Sequence, residues 1–211
     1  MCFSAQASFV AGLGLLGLGA LTVRRTRARR ECLYAWIPLL FGIQQLVEGG
    51  LWLTFPDHAP NLSRLLTYLF LFFSNVLWPI YVPLAVLALE PVKWRQRTIV
   101  ATAFLGAAVG IYLLGILSLR PVTACVDRQH ILYDFNNPYE QTTRWLYVIA
   151  TCISLLFSSH RRVVAFGVAA FVSEVAAYTL YKTWFVSVWC FFAAALSVIV
   201  LWQFIGRRPT P

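Results

Sequence analysis

Long apolar runs dominate the chain, and short polar connections separate them. A helix needs about 20 consecutive, mostly apolar residues to cross the hydrocarbon core of a membrane. Seven runs satisfy this requirement, so the pattern predicts one all-α integral membrane domain, residues 1–211, folded as a bundle of seven transmembrane helices. The predicted spans are residues 5–23, 33–55, 66–89, 98–119, 143–159, 163–181 and 186–206.

The composition supports a membrane location. Apolar residues make up 60% of the chain and charged residues 12%, whereas charged residues make up about 25% of a typical soluble domain. The lipid bilayer is therefore the first partner that the sequence predicts. The longest polar stretch, residues 120–142, is predicted to be an outer loop.

Lysine and arginine are unevenly distributed among the predicted connections, and twelve of the seventeen fall in alternate ones. Loops on the cytoplasmic side carry an excess of these residues, so we expect the N-terminus outside and the C-terminus inside a plasma (inner) membrane. The same rule accounts for the net charge of +9, and no nucleic-acid-binding motif is present. The twelve are Arg24, Arg25, Arg27, Arg29, Arg30, Lys93, Arg95, Arg97, Arg161, Arg162, Arg207 and Arg208.

The order of the spans allows an internal repeat. Three spans, a linking span and three more would place two triplets in the same orientation, as in some transporters. Residues 41–47 align with residues 166–172, and Thr54 then aligns with Thr179. The alternative is chance agreement between two apolar segments.

Two acidic residues, Glu48 and Glu174, lie within predicted spans. A charged side chain in hydrocarbon is costly, so such residues usually face the bundle interior and mark a function. Each glutamate precedes the outer end of its span by seven residues, which corresponds to a depth of about 10 Å in a helix. The pattern predicts an acidic, polar site in the outer half of the bundle.

The predicted site binds or transports a small polar or cationic molecule or ion. In this interpretation Glu48 is the charged anchor, aromatic side chains form the walls, and the polar residues of the third span supply hydrogen bonds. The structural alternative is a protonated Glu48 that only holds helices together. The candidate ligand-binding residues are Glu48, Glu174, Gln45, Trp52, Ser74, Asn75 and Tyr178.

Three residues on the predicted outer side carry ligand chemistry for a metal ion. Cys2, Cys125 and His130 are of the types that bind zinc and related metals, and a metal ion on this side is the one cofactor that the sequence predicts. An outer compartment also permits a disulfide, so a bridge between Cys2 and Cys125 is an alternative. The third alternative is two unpaired thiols.

Two short motifs resemble those of a known family. The chain begins Met-Cys-Phe-Ser-Ala, and residues 44–52 contain Gln-Gln-x-x-Glu-Gly-x-x-Trp. Both resemble an uncharacterised family of bacterial multipass membrane proteins, most clearly over the first 55 residues. The resemblance implies no activity, but it groups Cys2, Ser4, Gln45, Glu48 and Trp52 as one outer-side set.

Better-known classes of seven-helix protein fit the sequence poorly. A retinal protein needs a lysine inside the last span, whereas Lys182 precedes that span. An intramembrane zinc hydrolase needs several histidines at membrane depth, but all three histidines lie in or beside loops. Common nucleotide-binding and hydrolase motifs are missing. Besides the solute site, two alternatives remain: an enzyme acting on a lipid or quinone-like substrate at the outer leaflet, and a sensor or assembly factor with purely structural polar groups.

Overall fold

The computed structural model describes residues 4–56 and 58–205, and most of this part of the chain is helical. Seven helices form the bundle in the described residues. They are α1 (Ala5–Arg24), α2 (29–52), α3 (Pro60–Leu89), α4 (Lys93–Leu119), α5 (140–156), α6 (Arg161–Leu180) and α7 (Lys182–Phe204).

Four of these helices are irregular inside. Each is divided into shorter helical segments. Helices α3 and α5 also contain π-helical turns, which are rare and often occur at functional sites. Helix α2 consists of Arg29–Ala35 and Ile37–Trp52; α3 of Pro60–Leu71, the π turns Phe72–Leu77 and Trp78–Leu89; α5 of Glu140–Val148, the π turns Ile149–Ile153 and Ser154–Leu156; and α7 of Lys182–Trp184, Phe185–Leu196 and Val198–Phe204.

The described helices confirm a membrane protein. Five of them, namely α1, α3, α4, α6 and α7, are long and apolar enough to cross a membrane. Helix α2 is divided at Trp36, and its longer part has only 16 residues, while the π turns divide α5. That α2 and α5 also cross the membrane, and that the N-terminus lies outside, stay predictions.

The connection between α4 and α5, which the sequence predicts to be an outer loop, has regular structure of its own. It contains a two-stranded antiparallel hairpin of β1 (Val122–Asp127) and β2 (His130–Phe135). The turn residues Arg128 and Gln129 have φ angles of 46° and 66°. Two-residue turns of this kind match the twist of the strands but usually contain glycine or asparagine, so the sequence carried no ordinary hairpin signal.

One face of the hairpin covers the end of the bundle. Val122, Ile131 and Tyr133 are buried there against Leu51 of α2 and Phe70 of α3. The rings of Phe70 and Tyr133 are stacked, with centroids 4.6 Å apart. We call this group the hairpin cluster, and the end of the bundle that carries it the hairpin end.

Helices α1 and α2 approach each other closely because glycines replace larger side chains at their contact. A Cβ added at Gly19 would lie 2.7 Å from the backbone nitrogen of Leu39, and one added at Gly12 would lie 3.1 Å from the carbonyl oxygen of Gly42. Small residues at helix contacts are typical of membrane bundles. This contact fixes the position of α2, which carries Glu48.

A polar clamp joins two connections at the end opposite the hairpin. Glu90, after α3, accepts hydrogen bonds from the backbone amides of Val92 at 3.0 Å and Ser159 at 2.6 Å. Arg95 donates to the carbonyl oxygen of Phe157 at 3.1 Å. Burial opposes the ionisation of Glu90, but the amide hydrogen bonds outweigh burial, so the pKa of Glu90 is lowered. The α3–α4 and α5–α6 connections therefore lie at the same end of the bundle.

Candidate functional site

Glu48 of α2 lies in the interior of the bundle and is fully buried. The Ser187 hydroxyl of α7 donates to Glu48 Oε1 at 2.6 Å, and Gln45 Nε2 donates to Glu48 Oε2 at 3.5 Å. Tyr133 of β2 interacts with the same carboxyl group. One carboxyl group thus joins α2, α7 and the hairpin.

The amides beside Glu48 are held differently. Gln44 Oε1 accepts a hydrogen bond of 2.7 Å from the Trp78 indole, and the Trp78 ring stacks on Phe41 with centroids 3.8 Å apart. Gln45 Oε1 is buried and has no hydrogen-bond partner within the part of the chain that the structure describes. Gln44 Nε2 is likewise buried without a partner among the described residues, so both amides beside Glu48 have spare hydrogen-bonding capacity.

A polar cleft of about 150 Å³ lies beside the hydrogen-bond partner of this carboxyl group, Ser187. It lies between the hairpin and the beginning of α7, and Asp134, Glu140, Lys182 and Ser187 are among its lining residues. We call it the polar cleft. Ser187 and Tyr133 both line the cleft and interact with Glu48, so two direct partners of the buried carboxyl group border the cleft.

A second cleft of about 90 Å³ lies between α3, α5 and α7. Four aromatic residues line it, and its polar lining residues include Asn75 and Arg144. We call it the aromatic cleft. The π turns of α3 carry Asn75, and the Tyr147 hydroxyl donates to the backbone carbonyl of Ser74 in the same turns at 2.7 Å. The irregular helix thus places an amide side chain on the cleft wall.

Arg144 connects α5 with α6. Its guanidinium carbon lies 3.3 Å from the centroid of the Tyr178 ring and 5.9 Å from that of Phe185. Glu174 is buried in α6 and interacts electrostatically with Arg144. Two of the predicted site residues, Glu174 and Tyr178, are therefore neighbours of Arg144 and not hydrogen-bond partners of Glu48.

The other predicted ligand-binding residues occupy neighbouring positions. Gln45 contacts Glu48 directly, and Ser74 and Asn75 line the aromatic cleft. Trp52 packs against the hairpin cluster, and its indole nitrogen is buried without a hydrogen-bond partner among the described residues. That these residues together form a binding site stays a prediction.

The sequence interpretation missed several residues of the site. Ser187, Tyr133 and Tyr147 looked like ordinary residues of an apolar span, a loop and a helix end. Arg144 stood at the beginning of the predicted span 143–159 and was given no role, and it lies in the first turns of α5. One pattern in the sequence of α7 could have indicated Ser187. Ser187 and Cys190 are three residues apart, so they share one face of the helix.

The predicted metal site and disulfide are incomplete in the structure. Cys2 lies outside the described residues, and Cys125 is exposed and forms no disulfide with any residue inside them. His130 is buried and stacks on the Trp184 ring at 4.7 Å. Residues 4–56 and 58–205 contain no group of three or more histidine, cysteine or acidic side chains suited to a metal ion. Both the bridge and the metal site with Cys2 stay predictions.

Residues 1–211 match the model of a family described as "Family of unknown function (DUF6629)". No curated protein and no solved structure matches the chain. The expected resemblance to an uncharacterised family is confirmed.

Proposed function

The chain belongs to DUF6629, a family of unknown function, and from the geometry of its interior we propose that it binds a small polar or cationic solute. The solute enters from the hairpin end, and Glu48 is its charged anchor. We also propose that the protein transports the bound solute across the membrane.

The contact between Ser187 and Glu48 carries the proposal. A buried carboxyl group in an apolar bundle is costly, and a purely structural acid needs only partners within the protein. Here Ser187, whose hydroxyl donates to Glu48, is also one of the residues that line the polar cleft. A solute in the cleft can therefore reach the carboxyl group by displacing or rotating one side chain.

The charges of the polar cleft support the same proposal. Asp134 and Glu140 line it together with a single basic residue, Lys182. Clefts lined mainly by one sign of charge concentrate ions of the opposite sign. A small cation, or a polar molecule with a cationic group, is therefore the expected occupant.

Thermal unfolding of the purified protein in lipid nanodiscs tests the proposal. The probes are sodium, ammonium, choline, glycine and urea, each added over a range of concentrations. A ligand that binds only the folded protein raises Tm in a concentration-dependent way. We expect at least one probe to raise Tm in the wild type and to lose this effect in Glu48→Gln.

Glu31→Gln is the matched control, because it makes the same change at the other end of the same helix, where Glu31 accepts a hydrogen bond from the backbone amide of Arg27. The control should keep the ligand-dependent rise of Tm. If no probe raises Tm in the wild type, or if the rise persists in Glu48→Gln, the proposal is wrong.

A second variant tests the role of Ser187. Ser187→Ala removes the hydroxyl that a solute has to displace from Glu48, so we expect an apparent affinity about tenfold higher, the equivalent of about 1.4 kcal/mol. Ser197→Ala is its control, since Ser197 is also fully buried in α7 but donates only to its own helix, at Ala194.

A further inference from the structure

We propose that the aromatic cleft is a second binding site, for a flat apolar ring that carries a carbonyl or carboxylate oxygen. Two kinds of molecule share this chemistry, namely quinones and small aromatic acids. The inference does not depend on Glu48, which is not among the lining residues of this cleft.

Two buried donors without partners point to an acceptor oxygen in the ligand. Asn75 is 7% exposed, and its Nδ2 atom has no hydrogen-bond partner among the described residues. The Nε atom of Arg144 is likewise buried and unpartnered in that part of the chain. Leaving a buried donor unsatisfied costs about 1–3 kcal/mol. Both donors line the same cleft, so one ligand can satisfy both.

The walls of the cleft match a flat ring. Phe185 and Trp189 are stacked with centroids 5.6 Å apart, and Tyr147 meets Trp189 edge-on at 5.4 Å. Aromatic rings prefer such offset and edge-on neighbours. The cleft volume of about 90 Å³ is smaller than the roughly 150 Å³ of an enclosed cavity that binds benzene, so a ring would fill the cleft only in part and extend from its open side.

The charges around Arg144 do not require the ligand to be an anion. Glu174 interacts with Arg144 from α6, and Glu140 lines the same cleft. Arginine binds carboxylates especially well, but with acidic neighbours it also donates to a neutral carbonyl oxygen. This is why both quinones and aromatic acids belong to the inferred class.

Three probes of related shape test the inference on the purified protein in nanodiscs. Duroquinone is the carbonyl probe, benzoate is the carboxylate probe, and durene has the same ring and methyl groups as duroquinone but no oxygen. Apparent affinities come from the concentration dependence of the rise in Tm. We expect duroquinone or benzoate to bind at least tenfold more tightly than durene. Tighter binding of duroquinone would identify the ligand as a quinone, and tighter binding of benzoate would identify it as an aromatic acid.

Variants of the two donors show where the oxygen binds. Asn75→Leu and Arg144→Gln should each weaken binding of the preferred probe at least tenfold and leave durene unaffected. Asn61→Leu, at an exposed position, and Arg64→Gln, which also removes a guanidinium near a tyrosine ring, are matched controls that should bind normally. Glu48→Gln should also bind normally, which separates this site from the proposed solute site.

Several outcomes would overturn the inference. It is wrong if no probe gives a saturable rise in Tm, because the cleft then holds only water. It is also wrong if durene binds as well as duroquinone and benzoate do, since the donors then recognise no oxygen. Should Asn75→Leu fail to fold, Arg144→Gln and the three probes on the wild type still decide the question.

Discussion

At the scale of single residues, His130 is the group outside the spans whose ionisation we expect to affect stability. Burial lowers its pKa, and the neighbouring Asp127 only partly opposes this effect. The stacked Trp184 ring also donates a hydrogen bond to Asp127 at 3.2 Å. His130 therefore helps to attach the hairpin to the beginning of α7 in its neutral form.

Acidification should loosen this attachment. The pKa of His130 in the folded protein lies below its value in the unfolded chain, about 6.5. The contribution of neutral His130 to the free energy of unfolding is therefore present above pH 6.5 and is lost as the pH falls below this value. We expect Tm to fall between about pH 8 and pH 5, and to fall less in His130→Phe, which keeps a ring on Trp184. The exposed His58 provides the control, His58→Phe, and an equal fall of Tm in all three proteins would contradict the prediction.

At the scale of helices, a freed backbone carbonyl decides how α3 and α4 pack. Pro83 has no amide hydrogen, so the carbonyl of Pro79 lacks its usual partner in α3. That carbonyl faces Gly106 of α4, where an added Cβ would lie only 1.8 Å from the oxygen. The π turns that carry Asn75 end two residues earlier, at Leu77. The close contact between α3 and α4 therefore supports the wall of the aromatic cleft.

Gly106→Ala should separate these helices. Forcing a methyl group into a packed contact typically costs about 1–3 kcal/mol, and here the opposing atom belongs to the backbone, so we expect a loss at the upper end of this range or beyond. Gly115→Ala lies in the same helix with no atom within 4 Å of the added Cβ, and should instead stabilise α4 by up to about 1 kcal/mol. Denaturant unfolding of both variants measures the difference; similar free energies of unfolding would mean that the contact is not tight.

The helices were predictable from sequence because burial in lipid is a local requirement. Each apolar run overlaps a helix, and the ends differ by only a few residues. The hairpin was not predictable, because its turn at Arg128 and Gln129 lacks the usual glycine or asparagine. The partner of Glu48 was equally hidden: Ser187 is 139 residues away, and only the packing of α7 against α2 brings the two side chains together.

At the scale of the whole molecule, the two ends of the bundle differ in character. The hairpin, both clefts and the Ser187 hydroxyl lie at one end, and the clamp around Glu90 lies at the other. The basic residues at the beginning of α4 and α6 are near this clamp. The distribution of lysine and arginine predicts that the clamp end faces the cytoplasm, so both proposed sites would open to the outside.

Labelling with a membrane-impermeant thiol reagent tests this orientation on intact cells. Cys125 is exposed on the hairpin, so the wild type should react from outside, and a variant with serine at Cys2 and Cys125 should not. In that variant, Asn136→Cys on the hairpin side should restore labelling. Lys93→Cys, exposed at the clamp end, should react only after the cells are made permeable. The reverse pattern would place both clefts on the cytoplasmic side, and the solutes and ring compounds proposed here would then have to come from the cell interior.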